Sequence, residues 1–195
     1  MKRGQQRGFS LLELLVALFV IVLVTSLVSL SVGTGGQDIL LESKVRNLAD
    51  VAEYALDEAQ LAGRSYGLVL ERGLVEGEEV DSYRWLQWTP PDGWREPPGD
   101  KEVFATQDMP AQVELLLELE DVPEVDLSPR IGGGGEAVAA SADPQVVFYA
   151  SGETTAGAID VRQRDSGELL WRVEWDLLGR FQVLRRGEAQ DELLD

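Results

Sequence analysis

The sequence predicts an α+β protein: a long N-terminal α-helix, transmembrane in its first half, followed by an antiparallel β-sheet or sandwich domain. Three observations carry that expectation. Residues 9–33 hold a single charge, Glu13, and every residue from Leu14 to Val24 is apolar. Leu41, Val45, Leu48, Ala52, Ala55, Ala59 and Ala62 then recur at alternating spacings of four and three, the stripe of an amphipathic helix. After Gly63 the pattern switches to period two, as strands require.

The charges divide the chain in the same places. The 195 residues carry a net charge of -18. Residues 1–8 contain Lys2, Arg3 and Arg7 and no acid, whereas Thr34 onward holds 14 basic and 34 acidic residues. A basic head thus precedes an apolar stem and an acidic body. There is no His and no Cys. Ser-His-Asp and Cys-His nucleophilic sites are therefore excluded, as are the usual zinc sets, disulfides and redox thiols. The acidity argues against nucleic-acid binding, which needs cations to neutralise phosphates.

The stem, 9–33, is long enough to cross a bilayer as a helix, which takes roughly 20 apolar residues. Its flanking bases all lie on the N-terminal side, which places that end in the cytoplasm and the acidic body outside. The residues alone leave three readings open. One is a cleaved secretory signal, with Ser29-Leu-Ser31 as a small-x-small site. Another is a plain signal anchor. The third gives Glu13 a task, because a carboxylate inside an apolar helix is costly and is a functional candidate by default.

The helix is expected to continue amphipathically over 34–63 and to stop at Gly63. Gly33, Gly35 and Gly36 mark a weak point between its halves. The β domain spans 64–186. Ser65–Glu71 and Ser82–Thr89 read as strands, joined by an acidic loop with Glu76, Glu78, Glu79 and Asp81. Pro90-Pro-Asp-Gly93 and Pro97-Pro-Gly99 are turn signals, and Glu102–Ala105 reads as a short strand. Val113, Leu115, Leu117 and Leu119 mark a half-buried strand. Residues 121–144 read as irregular. Gln145–Tyr149 is a strand, and Ala158–Arg164 with Glu168–Asp176 form a hairpin turning at Ser166-Gly167. Trp171, Val173 and Trp175 share one face and read as core. Phe181–Leu184 closes the sheet, and 187–195 form an acidic tail.

One string decides among the readings of the stem. Arg7-Gly8-Phe9-Ser10-Leu11-Leu12-Glu13, followed by an unbroken apolar run, resembles the class III leader of type IV pilins and type II secretion pseudopilins. The resemblance implies that residues 1–8 are a prepilin leader. A prepilin peptidase would cut between Gly8 and Phe9 on the cytoplasmic side, and the new Phe9 amine would be N-methylated. Gly8 leaves the scissile bond uncovered. Glu13 lies four residues from Phe9, about one helical turn. A carboxylate and an ammonium attract far more strongly at low dielectric than in water. In the family, Glu13 meets the Phe9 amine of an adjacent subunit and sets the axial register.

The body carries a second resemblance. Leu56, Ala59 and Ala62-Gly-Arg-Ser-Tyr-Gly-Leu68 run into Tyr83-Arg-Trp-Leu86, Trp88 and Trp94. Pro144-Gln-Val-Val-Phe148, Ser151-Gly-Glu153 and Leu178-Gly-Arg180 follow. This succession is similar to the H-type minor pseudopilins of type II secretion and their FimT-like pilin relatives, over nearly the whole chain. The Gly132–Gly135 insert and the strongly acidic loops depart from the family pattern.

The resemblance implies a single-pass inner-membrane protein with a periplasmic domain, taken up near the tip of a pseudopilus. Its implied partners are other minor pseudopilins, the major pseudopilin, the prepilin peptidase, the inner-membrane assembly platform and membrane lipid. No nucleic acid is expected. Two other readings stand beside it: a minor type IV pilin, and a membrane-anchored periplasmic binding module.

No enzyme, cofactor or metal is expected. With 35 acidic residues, chance carboxylate pairs are easy to find, so a glycosidase-like pair has little weight. Gly132–Gly135 lacks the Lys-Ser/Thr of a phosphate-binding loop. Glu76, Glu78, Glu79 and Asp81 do not follow an EF-hand and read as a solvated loop. Trp88 and Trp94, beside Pro-rich turns, are the candidates for a subunit contact.

Overall fold

The computed structural model describes residues 11–98, 102–120, 122–125, 127–129 and 143–186, with side chains apart from 23–35, 37, 122–124 and 128–129. Helix α1 covers Leu11–Ala62, 52 residues without a break. It runs through Gly33, Gly35 and Gly36, so the expected weak point does not interrupt it. Each glycine costs a helix only about 1 kcal/mol, which a helix of this length absorbs. The helix ends as expected. Gly63 adopts φ 62°, and the Arg64 N–H reaches back to the Ala59 carbonyl at 3.2 Å. This is a Schellman closure built on a residue without a Cβ.

The chain forms two compact units, Met1–Glu42 and Ser43–Asp195. In the first, the side chains of residues 11–22 are all exposed. The second contains the rest of α1 and two antiparallel-based sheets.

The first sheet is built on β1 (Tyr66–Val75) and β2 (Glu78–Thr89). They pair in one unbroken register from Tyr66 opposite Gln87 to Val75 opposite Glu78. Their turn is only Glu76-Gly77, both with positive φ (54° and 88°), as a two-residue hairpin of this hand requires. The expected acidic loop is therefore almost entirely strand. Asp81, placed by sequence in that loop, is completely buried. β3 (Gly93–Arg95) and, after a 3-10 turn at Glu102–Phe104, β4 (Gln107–Asp108) both pair with β2. The short strand expected at Glu102–Ala105 is that 3-10 turn. It exists to insert Phe104, whose ring lies 5.1 Å from Tyr66 and 5.8 Å from Trp85.

The second sheet runs β11-β10-β9-β5-β6. Its strands are β5 (Val113–Leu119), β6 (Val122–Val125), β9 (Gly157–Gln163), β10 (Leu169–Trp175) and β11 (Phe181–Arg185). β7 (Ser128–Pro129) and β8 (Val146–Phe148) return to β1 in the first sheet. The stretch expected to be irregular thus supplies two short strands, β6 and β7, whereas the Gly132–Gly135 insert and the tail 187–195 lie outside the described residues. The β9–β10 hairpin turns at Ser166-Gly167 as expected, with Gly167 at φ 69°.

The core lies between these layers and the Ser43–Ala62 part of α1. Val45, Leu48, Ala52, Ala55 and Ala59 of the stripe are buried, and Ala62 is exposed. Tyr83 of β2 donates its hydroxyl to Asn47 Oδ1 at 3.2 Å. Arg46 lies over the ring of Trp171 at 5.9 Å. Trp171, Val173 and Trp175 are buried together, as their alternation implied. Phe148 of the first sheet stacks on Phe181 of the second at 6.3 Å. Burying such aromatic and aliphatic surface is the main drive for the fold.

Candidate assembly surfaces

Glu13 stands in the first described turn of α1. Its side chain is exposed. So are its apolar neighbours, with Leu11 81%, Leu15 64% and Phe19 62% accessible. A helix that is apolar on every side needs lipid or other helices to cover it. Among the described residues no helix is long and apolar enough to cross a membrane. Lys2, Arg3, Arg7, Gly8 and Phe9 lie outside the described residues.

Trp88 and Trp94 face each other across the β2–β3 pairing. Their rings meet edge to face with centroids 5.4 Å apart. Trp88 is 43% exposed and Trp94 is half-buried. The structure therefore brings together the two tryptophans that sequence placed near one turn, and leaves Trp88 the more exposed of the two.

Sequence reading missed the polar knots. Asp81 Oδ1 and Oδ2 accept from Arg72 Nε and Nη2 at 2.7 and 2.9 Å. The Leu115 N–H of the other sheet donates to Oδ2 at 2.7 Å, and Arg164 Nη2 to Oδ1 at 3.3 Å. Burial alone would push this carboxyl's pKa up. The Arg72 hydrogen bonds, the Leu115 N–H and the two guanidinium charges outweigh it, so the pKa sits below its ordinary value of 3.8. On the outer face of the second sheet, Asp160, 1% exposed, is held by Arg172 Nη1 at 2.7 Å and Arg162 Nη2 at 2.8 Å. The signal available was alternation. Asp81 shares its strand face with Tyr83, Trp85 and Gln87, all of them buried.

A groove of about 510 Å³ runs beside Glu118, Glu120, Arg172, Glu174, Asp176 and Arg180. Both of its guanidinium groups are already paired with carboxylates. Arg172 pairs with Glu118 at 3.0 Å and Arg180 with Asp176. Among the described residues no group of three or more potential ligands is placed to hold a metal ion. The Asp81 knot ties the two sheets to each other.

Residues 3–29 match the prokaryotic N-terminal methylation motif, and residues 44–179 match the family of the type II transport protein GspH. The type II secretion system protein H of Pseudomonas aeruginosa is 30% identical, over 81% of this chain and 84% of that protein. That of Aeromonas hydrophila is 27% identical, over 98% of this chain and 100% of its own. The crystal structure of the minor pseudopilin EpsH of Vibrio cholerae shares the fold. Its TM-score is 0.57 at 20% identity, over 76% of this chain and 96% of that one. The solution structure of Escherichia coli GspH does so with a TM-score of 0.51 at 16% identity, over 78% and 93%.

Proposed function

The chain belongs to the family of the type II transport protein GspH, the H-type minor pseudopilins, and we propose that it serves as a subunit near the tip of a periplasmic pseudopilus. In that reading it first sits in the inner membrane, N-terminus in the cytoplasm and body in the periplasm. A prepilin peptidase removes residues 1–8, and Phe9 becomes the methylated N-terminus. Assembly then lifts the subunit out of the lipid to join other pseudopilins on an inner-membrane assembly platform. The protein works by packing and being moved, with no catalytic step of its own.

The observation that carries this reading is the exposed apolar helix with one carboxylate in its first turn. Lipid satisfies its apolar side chains before assembly, and neighbouring stems satisfy them afterwards. Glu13 then meets the Phe9 ammonium of an adjacent stem, where the low dielectric makes the pairing strong. Trp88 and Trp94 supply a contact between bodies, since a partly exposed aromatic pair suits the centre of an interface.

Intact-mass analysis of the membrane-extracted protein tests the reading. The expected species begins at N-methylated Phe9. A mature chain beginning at Met1, or at Val32 after a signal-peptidase cut, overturns it. The companion variant is Glu13→Leu, which is expected to insert into the membrane normally and to lower secretion. A free-standing membrane-anchored module would tolerate that change.

A further inference from the structure

The turn between β10 and β11 is held from several sides. Asp176 Oδ1 accepts from the N–H groups of Leu178 and Arg180 at 2.9 and 3.0 Å, and Asp176 Oδ2 accepts from Arg180 Nε at 2.7 Å. The Gly179 N–H donates to the Asp176 carbonyl at 2.9 Å, and the Leu177 carbonyl accepts from the Thr154 N–H at 3.0 Å. Gly179 lies against Leu56 of α1. On this fixed frame Leu177 and Leu178 remain 56% and 61% exposed. A single exposed leucine needs no explanation, whereas two together make an apolar patch. Because the turn is already ordered, covering that patch costs a partner little conformational entropy.

The patch adjoins a groove with unequal charges. Leu177 and Leu178 line a hollow of about 440 Å³ that shares Glu120, Asp176 and Arg180 with the groove of about 510 Å³ on the second sheet. In that groove Glu118, Glu120, Glu174 and Asp176 stand against Arg172 and Arg180, an excess of two carboxylates. Arg172 is shared among Glu118, Glu174 and Asp160, and Arg180 is paired with Asp176. Glu120 is exposed.

The excess selects the occupant, because an acidic segment would meet like charge. That weighs against a second copy of this body, with 34 acidic and 14 basic residues from Thr34 onward. It weighs equally against the tail 187–195, which holds four acids and no base, and against anionic lipid headgroups. A lysine or arginine offsets the excess, and its attraction to a carboxylate strengthens where apolar side chains displace water. We propose that the Leu177–Leu178 turn and the adjoining groove dock a different protein subunit, which lays an apolar side chain on the two leucines and sets a lysine or arginine against Glu120. The proposal rests on the reading of this chain as an assembling subunit and names the chemistry of one neighbour.

The test uses the full chain in secreting cells. A photo-reactive benzoylphenylalanine replaces Gln182, which is exposed and lines the groove, and the cross-linked peptide is identified by mass spectrometry. The expected product joins this chain to a peptide of another subunit with a lysine or arginine beside apolar residues. Glu120→Lys and Leu178→Ser alter exposed side chains. Each is expected to lower the cross-link about five- to tenfold and to leave the melting temperature of the detergent-purified chain unchanged. Replacing the partner's basic residue with Glu is expected to restore the cross-link to Glu120→Lys. Absence of a cross-link overturns the proposal, as do cross-links to a second copy, to the tail or to lipid, or cross-links that both variants leave intact. So does a loss of cross-linking matched by a lower melting temperature in both variants, because the residues then act through the fold. Deletion of the whole chain separates the two levels. If deletion blocks secretion and both variants cross-link and secrete as the parent does, the docking proposal alone falls. If deletion leaves secretion unchanged, the assembly reading falls and takes the proposal with it.

Discussion

At the scale of single residues, Asp81 decides most. It is completely buried and binds Arg72 of its own sheet, Leu115 of the other sheet and Arg164 of the β9–β10 turn. Replacing it with Asn keeps the size and one acceptor oxygen but removes the buried carboxylate from Arg72 and Arg164, which keep only Glu114 at 4.0 Å and Glu79 at 2.9 Å as acidic partners. Breaking a buried pair in this way costs about 3–5 kcal/mol. Arg72 and Arg164 are partly solvated, so Asp81→Asn is expected near the lower end, read as a lower urea midpoint at pH 7. The pH dependence has a definite sign. The folded pKa lies below the ordinary 3.8, so as pH falls the unfolded chain takes up the proton first. The stabilisation is whole above the ordinary value and is lost as pH falls through the folded one. The gap between Asp81→Asn and the parent is therefore expected to close in that acid window; a constant gap would show that charge is not what Asp81 contributes. Sequence did not reveal this role because Glu76, Glu78, Glu79 and Asp81 stand together and read as one solvated run. Glu79 and Asp81 share one face of β2, and what buries the second and not the first is the other sheet, through the Leu115 N–H and Arg164, which lie far along the chain.

At the scale of elements, legibility followed the strength of the local signal. The helix stripe, its stop at Gly63 and the β9–β10 hairpin were readable because each rests on residues a few positions apart. The 3-10 turn at Phe104 was not, since its form is set by Tyr54, Tyr66 and Trp85, distant in sequence. β7 was hidden for a similar reason: its register exists only beside β1. The β10–β11 connection shows how such distant contacts fix an element. Gly179 has φ 67°, and a Cβ there would collide with Leu56 Cδ2 of α1. Gly179→Ala is expected to destabilise the body by about 1–3 kcal/mol through overpacking and backbone strain. Adding Leu56→Ala makes room for the new Cβ, so the double variant should lose less stability than the two single losses combined. Strict additivity in urea titrations would mean that the loop and the helix do not press on each other.

At the scale of the whole molecule, the sequence opposes two forces and the fold assigns them to different units. Residues 11–22 offer exposed apolar side chains, which favour association wherever they can be covered. The chain from Thr34 onward carries 34 acidic against 14 basic residues, and copies of such a body repel one another over about 10 Å at 0.1 M salt. The contacts that fold the body lie within Ser43–Asp195: Tyr83 on Asn47, Arg46 on Trp171, Phe148 on Phe181. A chain beginning at Ser43 is therefore expected to keep both sheets and unfold in a single transition, with tryptophan fluorescence and circular dichroism coincident. It is also expected to sediment as a monomer at low ionic strength, because the acidic excess of the body repels its copies. Added salt weakens that repulsion without supplying the stem's apolar surface, so the fragment should stay monomeric across the salt range. Self-association of the fragment at low salt would show that the body itself attracts its copies. The partition would then fail, and with it the proposed role of the stem and Glu13 as the source of cohesion. A monomer throughout would fit the proposal that the stem supplies cohesion and that a body contact such as Trp88 chooses a different neighbour.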